Sequence, residues 1–507
     1  MTQRLYSGRR FHRAIRAFLL GRAAQGVAFF ILTLWLVRVL LPADYGAYMA
    51  LWGIVELLSP LSSLGLLEAT RRFLPDLATR GSTSAVRAFV RWTTLARLTI
   101  LLAWALLIAL LWGQIAAWLG FDATQSGDGW VVVILIVTVL GFRYACEMLE
   151  GLLEQRWSQL AHALMPIGRL GGLALLVGMD TVSLGAVLWV DAVVSLGCFL
   201  LAEYFLARTL GTMSATGDYA VQPRSVAIFA WHMAGANVLQ AAASVGALRL
   251  IIARLLGLEA AGLFAFVQQL VSIVSRYMPA QLLTNIIRPM FVSRRAAGDN
   301  TIVAHGLGLM WKSNVLIVIC GVALLLVAGD MLVSLASGGR FADAGMALLI
   351  LFVGLGASSQ GQLINMSMQI HDQSRALRTQ SLLFLLVPLA AWAGAAWGLT
   401  SSLAGIVLAQ WLRNFFAMWW MRRHGAGFPL DWRGVGRQAL VALLAAAAGL
   451  VVALRFDSWL ALVAAAIVLG VGALAARPLN GDDAVLLQRV LKGKARLLQP
   501  FVRRECA

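Results

Sequence analysis

Eight basic and five acidic residues interrupt stretches that are otherwise apolar. They are Arg22, Arg97, Arg143, Arg169, Arg249, Arg276, Lys312 and Arg413 against Glu56, Glu147, Glu150, Asp191 and Glu203. An ionised side chain in hydrocarbon costs at least ~2.5–3.5 kcal/mol on insertion scales, so such groups must face a polar cavity or a partner. The surplus of cations suits an anionic cargo, and a phosphate in particular. A guanidinium binds phosphate oxygens through two parallel N–H···O bonds and stays charged at any accessible pH. Alternatives stand beside that reading. Arg143 and Glu147 are one helical turn apart and can equally form a self-contained pair. Arg38, Arg254 and Arg413 suit snorkelling or bonds to backbone carbonyls. Glu56 and Asp191 are the acids placed to titrate in a coupling role, or to be paired structural acids.

Other chemistry is weakly represented. Cys146, Cys198 and Cys320 fall in apolar runs and Cys506 in the basic tail, with no metal-type spacing. No Gly-rich phosphate loop follows a strand pattern. His232 and His305 suit interfacial positions, and Trp118, Trp130, Trp157, Trp311 and Trp432 suit a membrane-interface belt. No metal, no cofactor and no catalytic residue is expected, and the chain is not expected to be an enzyme. A membrane glycosyltransferase or polymerase needs an outer loop or domain to hold its acceptor, and no outer connection exceeds about a dozen residues.

The elements that position these groups follow from composition. The chain has 507 residues, 60 % hydrophobic and 13 % charged, with a mean hydropathy of +0.81. Ordinary soluble proteins carry roughly 45–50 % apolar and about 25 % charged residues. A soluble multidomain enzyme and a disordered chain are both excluded. The apolar runs lack the alternation of a transmembrane barrel, so an all-α polytopic membrane protein is expected. About 14 spans are read, at approximately 17–41, 45–70, 88–119, 129–152, 160–178, 182–206, 226–256, 261–287, 302–335, 343–370, 377–397, 400–421, 437–454 and 458–476. The net charge is +18, from 41 Lys and Arg against 23 Asp and Glu. With both termini cytoplasmic, about 29 basic residues fall on the cytoplasmic side, about 4 near the outer side and about 8 within spans. That asymmetry accounts for the charge without a nucleic-acid partner.

A repeat lies within this plan. Arg38-Val-Leu-Leu-Pro-Ala-Asp-Tyr-Gly46-Ala-Tyr48 lies over Arg254-Leu-Leu-Gly-Leu-Glu-Ala-Ala-Gly262-Leu-Phe264 at an offset of about 216 residues. Two six-helix halves of equal topology are parallel repeats, an arrangement in which a site at the repeat interface can face either side by rocking. The expected organisation is a basic amphipathic N-terminus at 1–16, an N-lobe at 17–208, a cytoplasmic linker at 209–225, a C-lobe at 226–421, two appended helices at 437–476 and a basic cytoplasmic tail at 477–507.

The segment LVRVLLPADYGAYMALWGIVELLSPLSSLGLLEATRRFLPDL resembles the first two helices of the polysaccharide-biosynthesis flippases. These belong to the multidrug/oligosaccharidyl-lipid/polysaccharide (MOP) exporter superfamily, which includes the Wzx-type O-antigen flippases. The matching elements are Leu41-Pro42-Ala43-Asp44-Tyr45-Gly46 and Gly65-Leu66…Arg72-Phe73, and RLLGLEAAGLFAFVQQL resembles the turn between the seventh and eighth helices. The chain departs from the family pattern in carrying Arg249 where many relatives have an acid. Its 14 spans, where many Wzx-type members have about 12, are closer to the lipid-linked peptidoglycan precursor flippases. The resemblance implies a plasma-membrane flippase for an undecaprenyl-diphosphate-linked glycan, working beside membrane lipids and polysaccharide polymerase or export partners. It also implies that spans 1, 2, 7 and 8 line a central cavity. Arg22, Arg249, Arg276 and Lys312 are then the leading candidates for binding the head group, with Arg143 and Arg169 beside them. The alternatives are a cation-coupled exporter of small amphipathic molecules with a multidrug-exporter (MATE-like) fold and a lipid-linked peptidoglycan precursor flippase.

Overall fold

The computed structural model describes residues 8–122, 129–152, 154–213, 217–281, 291, 299–371, 381–425, 427–484 and 500–502. The helices are α1 (Gly8–Val39), α2 (Pro42–Ser63), α3 (Leu66–Arg80), α4 (Thr83–Leu119), α5 (Gly129–Gly151), α6 (Gln155–Gly178), α7 (Leu184–Thr212), α8 (Pro223–Ala242), α9 (Val245–Leu256) and α10 (Leu258–Ser275). They continue with α11 (Asn300–Ser337), α12 (Gly345–Ile370), α13 (Leu386–Ala395), α14 (Leu399–Arg423), α15 (Trp432–Ala453) and α16 (Ser458–Ala476).

Local chemistry marks the ends. Ser82, Ser183, Ser244 and Asp431 accept the backbone N–H three residues on and so start α4, α7, α9 and α15. Gly120 and Gly338 close α4 and α11 in the left-handed region. The fold is that of a membrane-spanning helical protein. On α16 Ala461 and Ala465 are buried, while Val463, Ile467, Val471 and Leu474 point outward. Such a face belongs in hydrocarbon, not water.

Among the described residues, nine helices are long and apolar enough to cross a membrane, or eleven if each of two bent pairs is one span. The expected count of fourteen is not reached by that measure. Ala23–Val39 and Leu383–Ala395 are apolar but shorter, and α14 is the remaining segment. Two spans expected to be continuous are broken. The segment read as 45–70 bends by 57° between α2 and α3, where Leu64 and Gly65 adopt φ of 42° and 78°. A Cβ on Gly65 would also lie 2.0 Å from the Ala230 carbonyl oxygen. The segment read as 226–256 bends by 40° between α8 and α9. The span read as 261–287 has its helix end at Ser275.

The repeat extends through the helix map. Pro42 and Leu258, Thr83 and Asn300, and Leu184 and Leu399 are helix starts 215 to 217 residues apart. Compactness divides the chain elsewhere, into Met1–Ala265 and Phe266–Ala507. The first unit therefore holds α9 and the start of α10 as well as α1 to α8. Backbone contact explains it. A Cβ on Gly46 would fall 1.9 Å from the Leu258 carbonyl oxygen, and one on Gly246 would fall 2.6 Å from that of Gly53. Small residues that let backbones meet are a main source of helix affinity in lipid. In the second unit α11 packs on α12, α15 and α16, and α14 packs on α12 and α13.

Gly46→Ala is expected to lower the thermal midpoint of the detergent-purified protein by several degrees, because overpacking against an immovable backbone costs about 1–3 kcal/mol. Gly113→Ala, where an added Cβ meets nothing within 4 Å, should leave it unchanged. Equal midpoints for the two variants would contradict the close-packed α2–α10 contact.

Candidate functional site

One stripe of α2 organises the polar interior of the first unit. Tyr48, Trp52 and Glu56 recur every four residues, which keeps them on neighbouring turns of one helical face. The first two serve Asp191 of α7, which is 2 % exposed. Its Oδ2 accepts the Tyr48 hydroxyl at 2.7 Å and the Trp52 indole N–H at 3.2 Å. Its Oδ1 lies 3.3 Å from Nε of Arg169 on α6. Arg169 also donates to Ser195 Oγ at 3.2 Å and lies 4.5 Å over the Trp52 ring. Every oxygen of that carboxylate is engaged, as a charge this deep requires. A pocket with room for no more than about one water lies beside the pair, walled by Leu32, Leu36, Leu173, Leu176, Val187 and Val190.

One turn further along α2, Glu56 accepts Nη1 of Arg249 at 3.1 Å. Arg249, on α9, is 3 % exposed, whereas the Glu56 side chain keeps 32 % of its surface accessible. Gly53 and Gly246 permit this approach by bringing α2 and α9 together at the same level. Arg143 of α5 is half-buried and within electrostatic reach of both Glu56 and Arg169. It makes no hydrogen bond or ion pair with any described residue. The expected turn-to-turn pair with Glu147 does not form, because Glu147 is taken by Arg71 of α3, with Nε donating to Oε2 at 2.9 Å. Arg169 and Arg249 each hold one carboxylate, and Arg143 is the guanidinium of the three without a hydrogen-bond or ion-pair partner among the described residues.

The other candidates lie elsewhere. Lys312 of α11, expected as a cavity cation, is 1 % exposed and held by two acids, Asp431 at 2.6 Å and Asp483. Asp431 caps α15 and Asp483 closes a turn with Asn480, so the ammonium fastens the appended helices to α11. A cation between two carboxylates has no charge to offer an anion, and this corrects the expectation. Arg276 was expected deep within a helix; it occupies the turn directly after α10 and is half-buried. Arg22 belongs to α1, but its side chain lies outside the described residues. Arg413 does not snorkel: it is buried over the Phe384 ring at 4.2 Å and donates to Asn414 Oδ1 at 3.3 Å. Arg97 is buried with its guanidinium 5.8 Å from the Tyr144 ring. Glu150 accepts from Ser158 and Gln159. Tyr48, Trp52 and Ser195 were missed by sequence reasoning, although the four-residue spacing of Tyr48, Trp52 and Glu56 was there to be read. No group of three or more His, Cys, Asp or Glu side chains among the described residues could hold a metal ion.

No family model matches the chain, and no curated protein matches it. Solved structures do. The lipid II flippase MurJ in an inward closed conformation superposes with a TM-score of 0.63 at 10 % identity, over 94 % of this chain and 99 % of that one. An inward-facing multidrug resistance MATE family transporter of the MOP superfamily gives 0.57 at 14 % identity, over 79 % and 94 %. The Vibrio cholerae MATE transporter VcmN in its bent form gives 0.53 at 15 % identity, over 82 % and 96 %. The chain therefore has the all-helical fold of MOP transporters.

Arg169→Met is expected to destabilise the protein by about 3–5 kcal/mol, since it strands a buried carboxylate. Adding Asp191→Asn should recover most of that loss, because the amide oxygen still accepts from Tyr48 and Trp52. Thermal unfolding in detergent measures both; a double variant no more stable than Arg169→Met would show that the pair is not a closed ionic unit.

Proposed function

We propose that this protein is a flippase. It carries an undecaprenyl-diphosphate-linked glycan from the cytoplasmic to the outer leaflet of a bacterial plasma membrane by alternating access, without covalent chemistry. The observation that carries the reading is the unpartnered Arg143 in a buried cluster whose guanidinium groups outnumber its carboxylates. A positive, partly reachable site inside the membrane attracts an anion, and a phosphate accepts from a guanidinium fork in the geometry it offers. Arg143 and Arg249 form the core of the proposed head-group site, with Arg169 held by Asp191 behind them. Arg22 and Arg276 are further residues of the proposed route. The lobes at 17–208 and 226–421, cytoplasmic termini and a contribution from polymerase or export partners belong to the same proposal. Support comes from the superposition on MurJ over nearly the whole of both chains. MurJ is a lipid II flippase, so a lipid-linked peptidoglycan precursor is the neighbouring choice of cargo.

A second reading, a cation-coupled exporter of small amphipathic molecules, draws on the likeness to MATE transporters. It needs a carboxylate ready to exchange a cation. Asp191 and Glu56 both already hold a guanidinium, which favours the anionic cargo.

In proteoliposomes loaded with a fluorescent undecaprenyl-diphosphate-linked sugar, Arg143→Gln is expected to slow translocation at least about tenfold with an unchanged thermal midpoint. Arg143→Lys should retain part of the rate, since it keeps the charge and loses the fork. Full activity in Arg143→Gln would remove the anion-binding role. Efflux of a cationic dye that stops on collapsing the ion gradient would establish the second reading instead.

A further inference from the structure

Among the described residues the buried Lys and Arg side chains are Arg97, Arg169, Arg249, Lys312 and Arg413. All but the last have an acid to answer them. Arg169 has Asp191, Arg249 has Glu56, Lys312 has Asp431 and Asp483, and Arg97 has Glu68 within electrostatic reach. Arg413 has none: no described carboxylate pairs with it or reaches it electrostatically. It lies within the second unit, about 21 Å along α14 from Leu399 and about 15 Å from Arg423. Only 8 % of the residue is accessible there. A guanidinium stays protonated in proteins, so it cannot shed its charge as a buried lysine can. A buried ion with nothing opposite it is strongly unfavourable.

The side chain is nevertheless held in place. The Phe384 ring, just before α13, covers one face of the guanidinium at 4.2 Å. Nη2 donates to Asn414 Oδ1 at 3.3 Å. Asn414 is fully buried and presents that oxygen because its amide N–H donates to the Ala357 carbonyl of α12. Gly361, one turn further along α12, makes room for the group, since a Cβ there would lie 3.0 Å from Nη2. These contacts occupy one nitrogen of three. Nε is buried without an acceptor, and Nη1 makes no hydrogen bond to a described residue. No described backbone carbonyl takes either. Buried donors are seldom left unpaired in native proteins, and a charged one needs its partner most.

The surroundings decide which anion fits. A phosphate brings several oxygens, and each one buried requires its own donor. The polar groups shown beside the guanidinium are the Asn414 oxygen and the Ala357 carbonyl, which are both acceptors, and the remaining contact is aromatic. A phosphate or carboxylate would keep oxygens unanswered in that setting. A monatomic anion of single charge balances the one guanidinium and leaves no oxygen over. Chloride meets both conditions.

We propose that Arg413 forms a buried halide site, in which chloride accepts from Nε and braces α14 against α12 and Phe384. The site belongs to the second unit alone and does not depend on the flippase reading.

The test uses the full-length protein purified in detergent, with sodium gluconate replaced by chloride or bromide at constant ionic strength. The thermal midpoint is expected to rise saturably by about 1–3 °C in either halide, because a ligand of the native state stabilises it by mass action. Arg413→Met, which removes the charge and keeps an apolar stem, should not respond. A wild type indifferent to halide overturns the proposal, and so does a folded Arg413→Met that still responds. A second measurement needs no variant. Crystals grown in bromide should show an anomalous difference peak beside Arg413 Nε. Its absence, or the phosphate of a co-purified lipid in its place, overturns the assignment. A peak there without any change in midpoint marks an adventitious ion only and overturns the bracing role.

Discussion

A guanidinium or carboxylate within hydrocarbon must be answered by something, and in the first unit α2 does the answering. Its stripe of Tyr48, Trp52 and Glu56 supplies two donors for Asp191 and one acceptor for Arg249. Take that stripe away and Asp191 keeps only Arg169, while Arg249 loses its acceptor. The helices it meets, α7 and α9, lie far apart in the chain, so the ionic contacts also tie distant segments together. Deep polar groups are costly individually and specify an arrangement collectively.

The glycines complement the charges. Gly46, Gly53 and Gly246 bring α2 so close to α9 and α10 that backbone meets backbone. Glu56 can reach Arg249 only because that approach is short. This explains why α9, the sequence counterpart of the end of α1, belongs to the first compact unit and not to the second. The helix map repeats every 216 residues or so, but packing follows contacts, not the repeat.

Two buried ionic centres differ in kind. Around Lys312 one cation meets two acids, each of which also shapes local backbone as a helix cap or a turn. That centre is closed and serves to dock α15 and the segment after α16. Around Glu56 the balance is reversed, with cations in excess and a side chain accessible. The two centres differ in local stoichiometry of charge more than in depth of burial. The two could not be told apart by position along an apolar run.

Much of the fold was legible in the chain, because apolar runs of about membrane length allow only helices. The repeat could be read from Arg38 and Arg254, Gly46 and Gly262, since similar turn chemistry recurs at similar spacing. So could the list of buried charges, as each stands out against its apolar neighbours. Their pairing could not. Glu147 had a basic residue one turn away on its own helix, and it binds Arg71 from α3 instead. Lys312 gained Asp483 from 171 residues away. Hydropathy depends on neighbours in sequence and is therefore written into it. The partner of a charge depends on which helices bring their side chains within about 3 Å of each other, and only the packed chain decides that.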